Sequence, residues 1–398
     1  MRAGKSTMID TTEIGDVLRH GVGRGDVPGV VAAVATRDGV LFEGAFGRRD
    51  ITGGTEMTPD TVLWIASLTK AVTAAAAMQL VEQGRLALDA PIAGVLPELG
   101  RVQVLAGFDA ADAPILRAPA RPITLRHLLT HTAGFGYDMW NADIKRYLEV
   151  TASSAPADVS RARRLLATPL TFDPGDRWQY GINIDWAGRA VEVVSGQRLG
   201  DYMRVHIFEP LGMADTGFRI GGDQRRRLAR IHNRTAEGVV PSKGEPPAEP
   251  ELDMGGGGLY GTVSDYLRFA RMILGGGELE GRRVLGAETV ALMSRNGMGD
   301  TVCRPMISAV RGASNDVQFV DGMQWGLSFM INPAPLATGR SAGSLAWAGL
   351  ANSFYWIDPE QGVAGVYSTQ VLPFCDARAF GLFQEFETAV YGAIRRVG

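Results

Sequence analysis

The sequence predicts an α/β (α+β) fold: an antiparallel sheet built from both ends of the chain, flanked by helices, with a mainly helical lobe inserted between. Three observations carry this. Strand pairs recur near each terminus: "VPGVVAAVATRDGVLFEGAFGRRD" (27–50) turns at Asp38-Gly39, and "FYWIDPEQGVAGVYSTQ" (354–370) turns at "DPEQG". Each pair is flanked by a segment with helical apolar spacing, "TTEIGDVLRHGV" (11–22) at the start and "ARAFGLFQEFETAVYGAIRRV" (377–397) at the end. The middle of the chain is mostly helix and loop.

The elements follow in order. "AVTAAAAMQLVEQG" (71–84) is nearly apolar all round, as expected of a helix buried between layers. "ITLRHLLTHTAGF" (123–135) predicts a short helix stopped at Gly134, and "NIDWAGRAVEVVSG" (183–196) one ending in Ser-Gly. "PSKGEPPAEPELDMGGGG" (241–258) is a Pro- and Gly-rich loop. "SDYLRFARMILGGG" (264–277) predicts a helix opened by a Ser/Asp cap and closed by glycines. No internal repeat is present. The expected division is a discontinuous sheet lobe, 10–95 with 255–397, and a mainly helical lobe, 96–254, with the active site between them.

Composition narrows the function classes. With 398 residues, 45% hydrophobic, the chain can bury a large core. A net charge of -3 with both signs dispersed argues against nucleic acid or an anionic membrane surface as partner. The one basic cluster, "QRRRLARIHNR" (224–234), lacks interleaved aromatics and reads as a solvated surface. Two distant cysteines, Cys303 and Cys375, imply neither a disulfide framework nor a zinc site. The N-terminus shows no apolar leader segment, and no apolar run approaches the roughly 20 residues that span a bilayer. A soluble, cytoplasmic protein is expected.

The chemistry concentrates in three places. "WIASLTKAVTAAAAM" (64–78) sets Ser67 at the mouth of the apolar helix with Lys70 one turn on, on the same face. The start of a helix supplies unpaired N–H groups for an oxyanion. Desolvation favours the neutral amine. To act as a base near pH 7, Lys70 needs a pKa lowered by about three units, or roughly 4 kcal/mol. The bland alternative is a capping serine beside a surface lysine. Second, "DPGDRWQYGINIDWAG" (173–188) presents Trp178 and Tyr180 at a helix entrance, where a tyrosine can share a proton with Lys70 or simply pack. Third, "SLAWAGLANSFYWIDP" (344–359) holds Trp347-Ala348-Gly349, small residues where a strand edge approaches something closely, and the N–H of Leu350 is a second oxyanion donor.

Other motifs point elsewhere and are set aside. "GGGGLYG" (255–261) matches G-x-G-x-x-G, but a Pro-rich loop precedes it where a dinucleotide site needs a strand. His127 and His131 are spaced for a metal on a helix, with no third ligand apparent; they read as structural, and no metal or cofactor is expected. A Ser-His-Asp esterase wants G-x-S-x-G and a late histidine; neither exists, the last histidine being His232.

Taken together, Ser67-x-x-Lys70, the Tyr180 motif and Trp347-x-Gly349 resemble the serine β-lactamase-like superfamily, closest to the family VIII carboxylesterases and class C β-lactamases. "LRHLLTHTAGF" and "YGINIDWAG" are also similar to stretches of fungal statin-type acyltransferases. The resemblance spans roughly residues 15–395 and implies a β-lactamase/penicillin-binding-protein-like fold. It implies Ser67 as acylated nucleophile and Lys70 with Tyr180 as general base pair. The N–H groups of Ser67 and Leu350 become the oxyanion hole. Trp347 and Gly349 line the substrate site, and Tyr137 and Asp185 serve as pocket wall and as support for the tyrosine loop.

Two departures matter. The lactamases' Tyr-x-Asn is absent, since Ile182 stands two after Tyr180 and Asn183 comes one residue late. Their Lys-Thr-Gly is replaced by Trp347, Ala348 and Gly349, an apolar rim in place of a cation. The expectation is therefore a serine carboxylesterase acting on small, short-chain neutral esters. An acyltransferase or a weak β-lactamase is the neighbouring alternative. A non-catalytic acyl- or peptide-binding protein is the alternative of another class, and it has no need of an activated Ser-Lys-Tyr set.

Overall fold

The computed structural model of the chain describes residues 10–152, 159–244 and 249–396. Most of the N-terminal stretch read for a leader, and part of the Pro- and Gly-rich 241–258 loop, lie outside the described residues.

The sheet begins after helix α1 (Thr12–Gly23), with strands β1 (Gly29–Thr36), β2 (Val40–Asp50) and β3 (Thr55–Glu56). The chain then leaves the sheet through helices α2 (Thr69–Glu82), α3 (Leu125–Leu129), α4 (Asn183–Ser195) and α5 (Val263–Leu274). It returns as β4 (Gln324–Trp325), β5 (Met330–Ile331), β6 (Leu345–Gly349), β7 (Ser353–Asp358) and β8 (Val363–Ser368), and closes on helix α6 (Ala377–Arg395). The eight strands lie in the order β4-β5-β6-β7-β8-β1-β2-β3, each neighbour antiparallel. The seam between the two chain ends is the β1–β8 pair, running from Val31 opposite Ser368 to Thr36 opposite Val363.

Every residue of β7 and β8 is buried because helices cover both faces. Side chains alternate across a strand, so adjacent residues of β7 report opposite layers. Trp356 packs on Phe383, Phe386 and Tyr391 of α6, while Tyr355 packs on Tyr266 of α5. On β6 only Leu345 and Ala346 pair with β5, and among the described residues that ladder does not continue to Trp347.

Local structure departs from expectation in four places. The 123–135 helix is one short turn, α3, stopped well before Gly134. His131 takes a left-handed φ of 57°, and the Thr130 hydroxyl turns back to the Arg126 carbonyl at 2.7 Å. Helix α5 is capped by Thr262, whose side chain accepts from the Asp265 N–H at 3.1 Å. The expected caps are used elsewhere: Ser264 donates to Glu43 and the Asp265 carboxylate accepts from the Asp215 N–H. The middle also holds two hairpins, Val104–Phe108 with Pro114–Arg117 and His232–Thr235 with Gly238–Pro241. Finally, the basic cluster is less solvated than its composition suggested. Arg227 pairs with Asp215 at 2.6 Å and Arg234 with Asp376 at 2.8 Å, and both are largely buried. Among the described residues no helix is long and apolar enough to cross a membrane.

Candidate active site

Ser67 stands on a bend. Ala66, just before it, has φ 47°, a costly conformation for a residue with a Cβ. Residues 66–68 form a single 3-10 turn that runs straight into α2. Neighbours hold the bend in place. The Thr69 hydroxyl donates to the Ala66 carbonyl at 2.6 Å and accepts from the Leu259 N–H at 3.1 Å. The Tyr266 hydroxyl of α5 donates to the Leu68 carbonyl at 3.0 Å. Ser67 is left half-buried, reachable from outside.

Lys70, one turn along, is fully buried. Its Nζ lies 3.1 Å from Ser67 Oγ and 3.1 Å from the Tyr137 hydroxyl, and donates to the Gly256 carbonyl. Burial drives its pKa down to about 7, against the pull of Asp185 in the other direction. A substantial share of the amine is then unprotonated at neutral pH, beside a serine hydroxyl whose proton it can accept.

The two tyrosines divide the contacts. Tyr180 is near enough to Ser67 to feel its hydroxyl and accepts from Trp347 Nε1 at 2.9 Å, while its ring lies 4.6 Å from Lys70 Nζ. Burial pushes its phenol above the ordinary value, and Ser67 and Trp347 oppose that shift. The hydroxyl bonded to Lys70 belongs to Tyr137, which also donates to Asp185 Oδ2 at 3.4 Å. Burial and the Asp185 charge raise the Tyr137 phenol further.

Asp185, in the first turn of α4, is buried, and its Oδ1 accepts from the Gly256 N–H at 2.7 Å. Burial raises its pKa, and Lys70 works against that. So the glycine run set aside as a poor dinucleotide motif packs against this site. Thr73 of α2 donates to the Gly255 carbonyl at 2.7 Å, and a Cβ on Gly256 would fall 2.4 Å from Asp185 Oδ2. The signal was the four consecutive glycines; it marked close backbone approach to two helices.

The remaining candidates fall around this core. Gly349, at the end of β6, lies against the bend, where an added Cβ would meet the Ile65 carbonyl at 2.6 Å. Leu350 therefore begins beside the Ser67 turn. Trp347 joins an aromatic wall with Trp325 (ring centroids 4.6 Å apart), Tyr180 (4.8 Å) and Phe319 (6.3 Å). Beside it lies a cavity of about 280 Å³ lined by Phe319, Trp347, Phe354, Phe374 and Phe380. Asn183 donates to His131 Nδ1 at 3.1 Å and to the Phe135 carbonyl at 3.2 Å, tying the 131–135 loop to α4. His131 is fully buried and held well below its ordinary pKa by burial and by Lys70, hence neutral. His127 closes the capping box of α3 with Thr124. Among the described residues no group of three or more His, Cys, Asp or Glu is placed to hold a metal ion.

This fold and constellation define a class. Residues 14–385 match the family model described as Beta-lactamase, and the chain belongs to that Beta-lactamase family. It is 34% identical to the lovastatin esterase of Penicillium rubens, over 67% of this chain and 68% of that protein. It is 30% identical to the monacolin J acid methylbutanoyltransferase of Aspergillus terreus, over 94% of each. Among solved structures, a mutant of the simvastatin synthase from Aspergillus terreus superposes with a TM-score of 0.82 at 28% identity, covering 96% of this chain and 95% of that one. The fold is that of serine β-lactamase-like hydrolases and acyltransferases.

Proposed function

We propose that the protein is a serine carboxylesterase that hydrolyses small, neutral carboxylic esters through an acyl-enzyme on Ser67. The observation that carries the reading is the buried Lys70 amine, poised near pH 7 and 3.1 Å from Ser67 Oγ. As Oγ bonds to the ester carbonyl carbon, its proton passes to Lys70. The Ser67 and Leu350 N–H groups receive the oxyanion, where losing one donor typically costs about 10²–10³ in rate. When the carbon–oxygen bond to the alcohol breaks, Tyr180 and Lys70 deliver the proton to the departing oxygen. Water, activated by the same pair, then releases the acid. The residues supply nucleophile, base and donors without a metal or cofactor. The aromatic wall around Trp347, with Ala348 in place of a polar residue, supports neutral esters over anionic β-lactams. A cytoplasmic location fits small-molecule esters as the partner.

The transferase relative favours a second reading, in which a bound alcohol rather than water resolves the acyl-enzyme. The test is turnover of p-nitrophenyl acetate, butyrate and octanoate, beside nitrocefin, by wild type and Ser67→Ala. Ser67-dependent ester turnover with little nitrocefin cleavage is expected. Dominant nitrocefin cleavage refutes the esterase reading. Rates that rise with added alcohol, together with ester formation, favour the transferase.

A further inference from the structure

We propose that Asp185 is the counter-ion of the lysine base, acting on Lys70 through the Gly256 backbone and the Tyr137 hydroxyl and so setting the charge state in which Lys70 enters the reaction. Asp185 touches neither substrate nor Ser67; it is a positioning residue. The proposal rests on the reading that Ser67 is acylated with Lys70 as base.

The geometry is a closed circuit. One residue separates the two groups: Gly256 donates its N–H to Asp185 Oδ1 at 2.7 Å and accepts from Lys70 through its carbonyl. A donor end faces the carboxylate and an acceptor end faces the amine, so the residue favours a negative charge on one side and a positive charge on the other. A second bridge runs through Tyr137, 3.1 Å from Lys70 Nζ and 3.4 Å from Asp185 Oδ2. A carboxylate with 4% of its surface exposed is costly unless a positive charge answers it, and Lys70 is the charge that acts on it.

The other groups around Lys70 do not compete. Ser67 precedes it on its own turn, and Tyr180 presents its ring face. His131 is neutral. Asp138, next to Tyr137, is paired with Arg161 at 2.6 Å. During acylation the Ser67 proton moves to Lys70 Nζ as the oxygen–carbon bond forms, and Asp185 stabilises the ammonium produced. The proton leaves with the alcohol, Lys70 returns to the amine, and Asp185 neither gains nor loses a proton.

The chain has lysine at four positions only, 5, 70, 145 and 243, so its ¹³Cε-lysine NMR spectrum is simple enough to titrate. Lys70 is assigned as the signal missing from Lys70→Met. Asp185→Asn keeps an acceptor oxygen for the Gly256 N–H and removes the charge; Asp185→Ser removes the charge with less bulk, should the amide fail to fold. Loss of the carboxylate is expected to move the Lys70 midpoint at least one pH unit to the acid side. The acid limb of kcat/KM should move with it, and the plateau should fall about tenfold. A Lys70 midpoint that stays within 0.3 unit of wild type in a folded variant overturns the proposal. The titration is read without substrate, so it separates the two claims. A shifted midpoint in a protein that turns over no ester sinks the esterase reading alone. Ser67-dependent turnover with an unmoved midpoint sinks the counter-ion alone.

Discussion

Trp347 Nε1 donates a hydrogen bond to Tyr180 Oη at 2.9 Å, so a residue of the central sheet supports the hydroxyl that meets Ser67. Trp347→Phe keeps an aromatic wall and deletes the donor. A hydrogen bond between neutral side chains contributes about 0.5–1.5 kcal/mol, which corresponds to a roughly 2- to 10-fold fall in kcat. KM for p-nitrophenyl butyrate is expected to stay within twofold. A loss confined to KM would show that the indole acts as a wall alone.

Ser67→Ala is expected to remove ester turnover and labelling by a fluorophosphonate probe, with the thermal midpoint little changed because the half-buried hydroxyl fills no core space. Intact-mass spectrometry reads the adduct directly. Residual Ser67-independent turnover above background would remove the acyl-enzyme from the mechanism.

Lys70 has an opposite effect on stability. Its folded-state pKa of about 7 lies below the unfolded value of 10.5. Between those values the unfolded chain binds the extra proton, so stability rises with pH across this window and is lost as pH falls from about 10 to 7. The full cost is about 4–5 kcal/mol. Urea unfolding of Lys70→Met against wild type should show the variant gaining relative stability by a few kcal/mol as pH is lowered through that window. A difference independent of pH contradicts a buried, neutral lysine. The same titration predicts that ester turnover climbs through an acid limb near pH 7, since only the free amine accepts the Ser67 proton.

Neighbouring glycines should behave differently. Gly256→Ala places a methyl 2.4 Å from Asp185 Oδ2, whereas at Gly257 the nearest atom is 3.9 Å away. The first substitution is expected to cost at least 100-fold in kcat/KM together with a lower melting temperature. The second should retain activity within about threefold. Equal effects at both would mean that the close packing of the Gly256 peptide on Asp185 is unimportant.

Much of this was legible in the residues. The Asp38-Gly39 and "DPEQG" turns bound strands of plain periodicity, so the β1–β2 and β7–β8 pairs could be read locally. Ser67, Lys70, Tyr180 and Trp347 stood out because each is an unusual residue for its surroundings. The partners could not be read the same way. Tyr137 reaches Lys70 only because the left-handed His131 turns the chain after α3, and Gly256 joins the site only where a loop meets α2 and α4. Such contacts link residues 67, 137, 185 and 256, and no local pattern records them. The Thr262 cap was missed for a smaller reason: Ser264 and Asp265 are equally good caps in isolation, and tertiary partners claim both.

The seam between β1 and β8 has a consequence for biosynthesis. The β1 strand pairs with Val363–Ser368, made more than three hundred residues later, and Tyr180 waits for Trp347, 167 residues further on. Ser67 and Lys70 therefore emerge long before the layers that dehydrate the amine exist. A nascent or prematurely terminated chain carries its nucleophile beside an ordinary, solvated ammonium, chemically mute. Reactivity waits for the distant segments that bury the amine, Tyr137 and Gly256 among them.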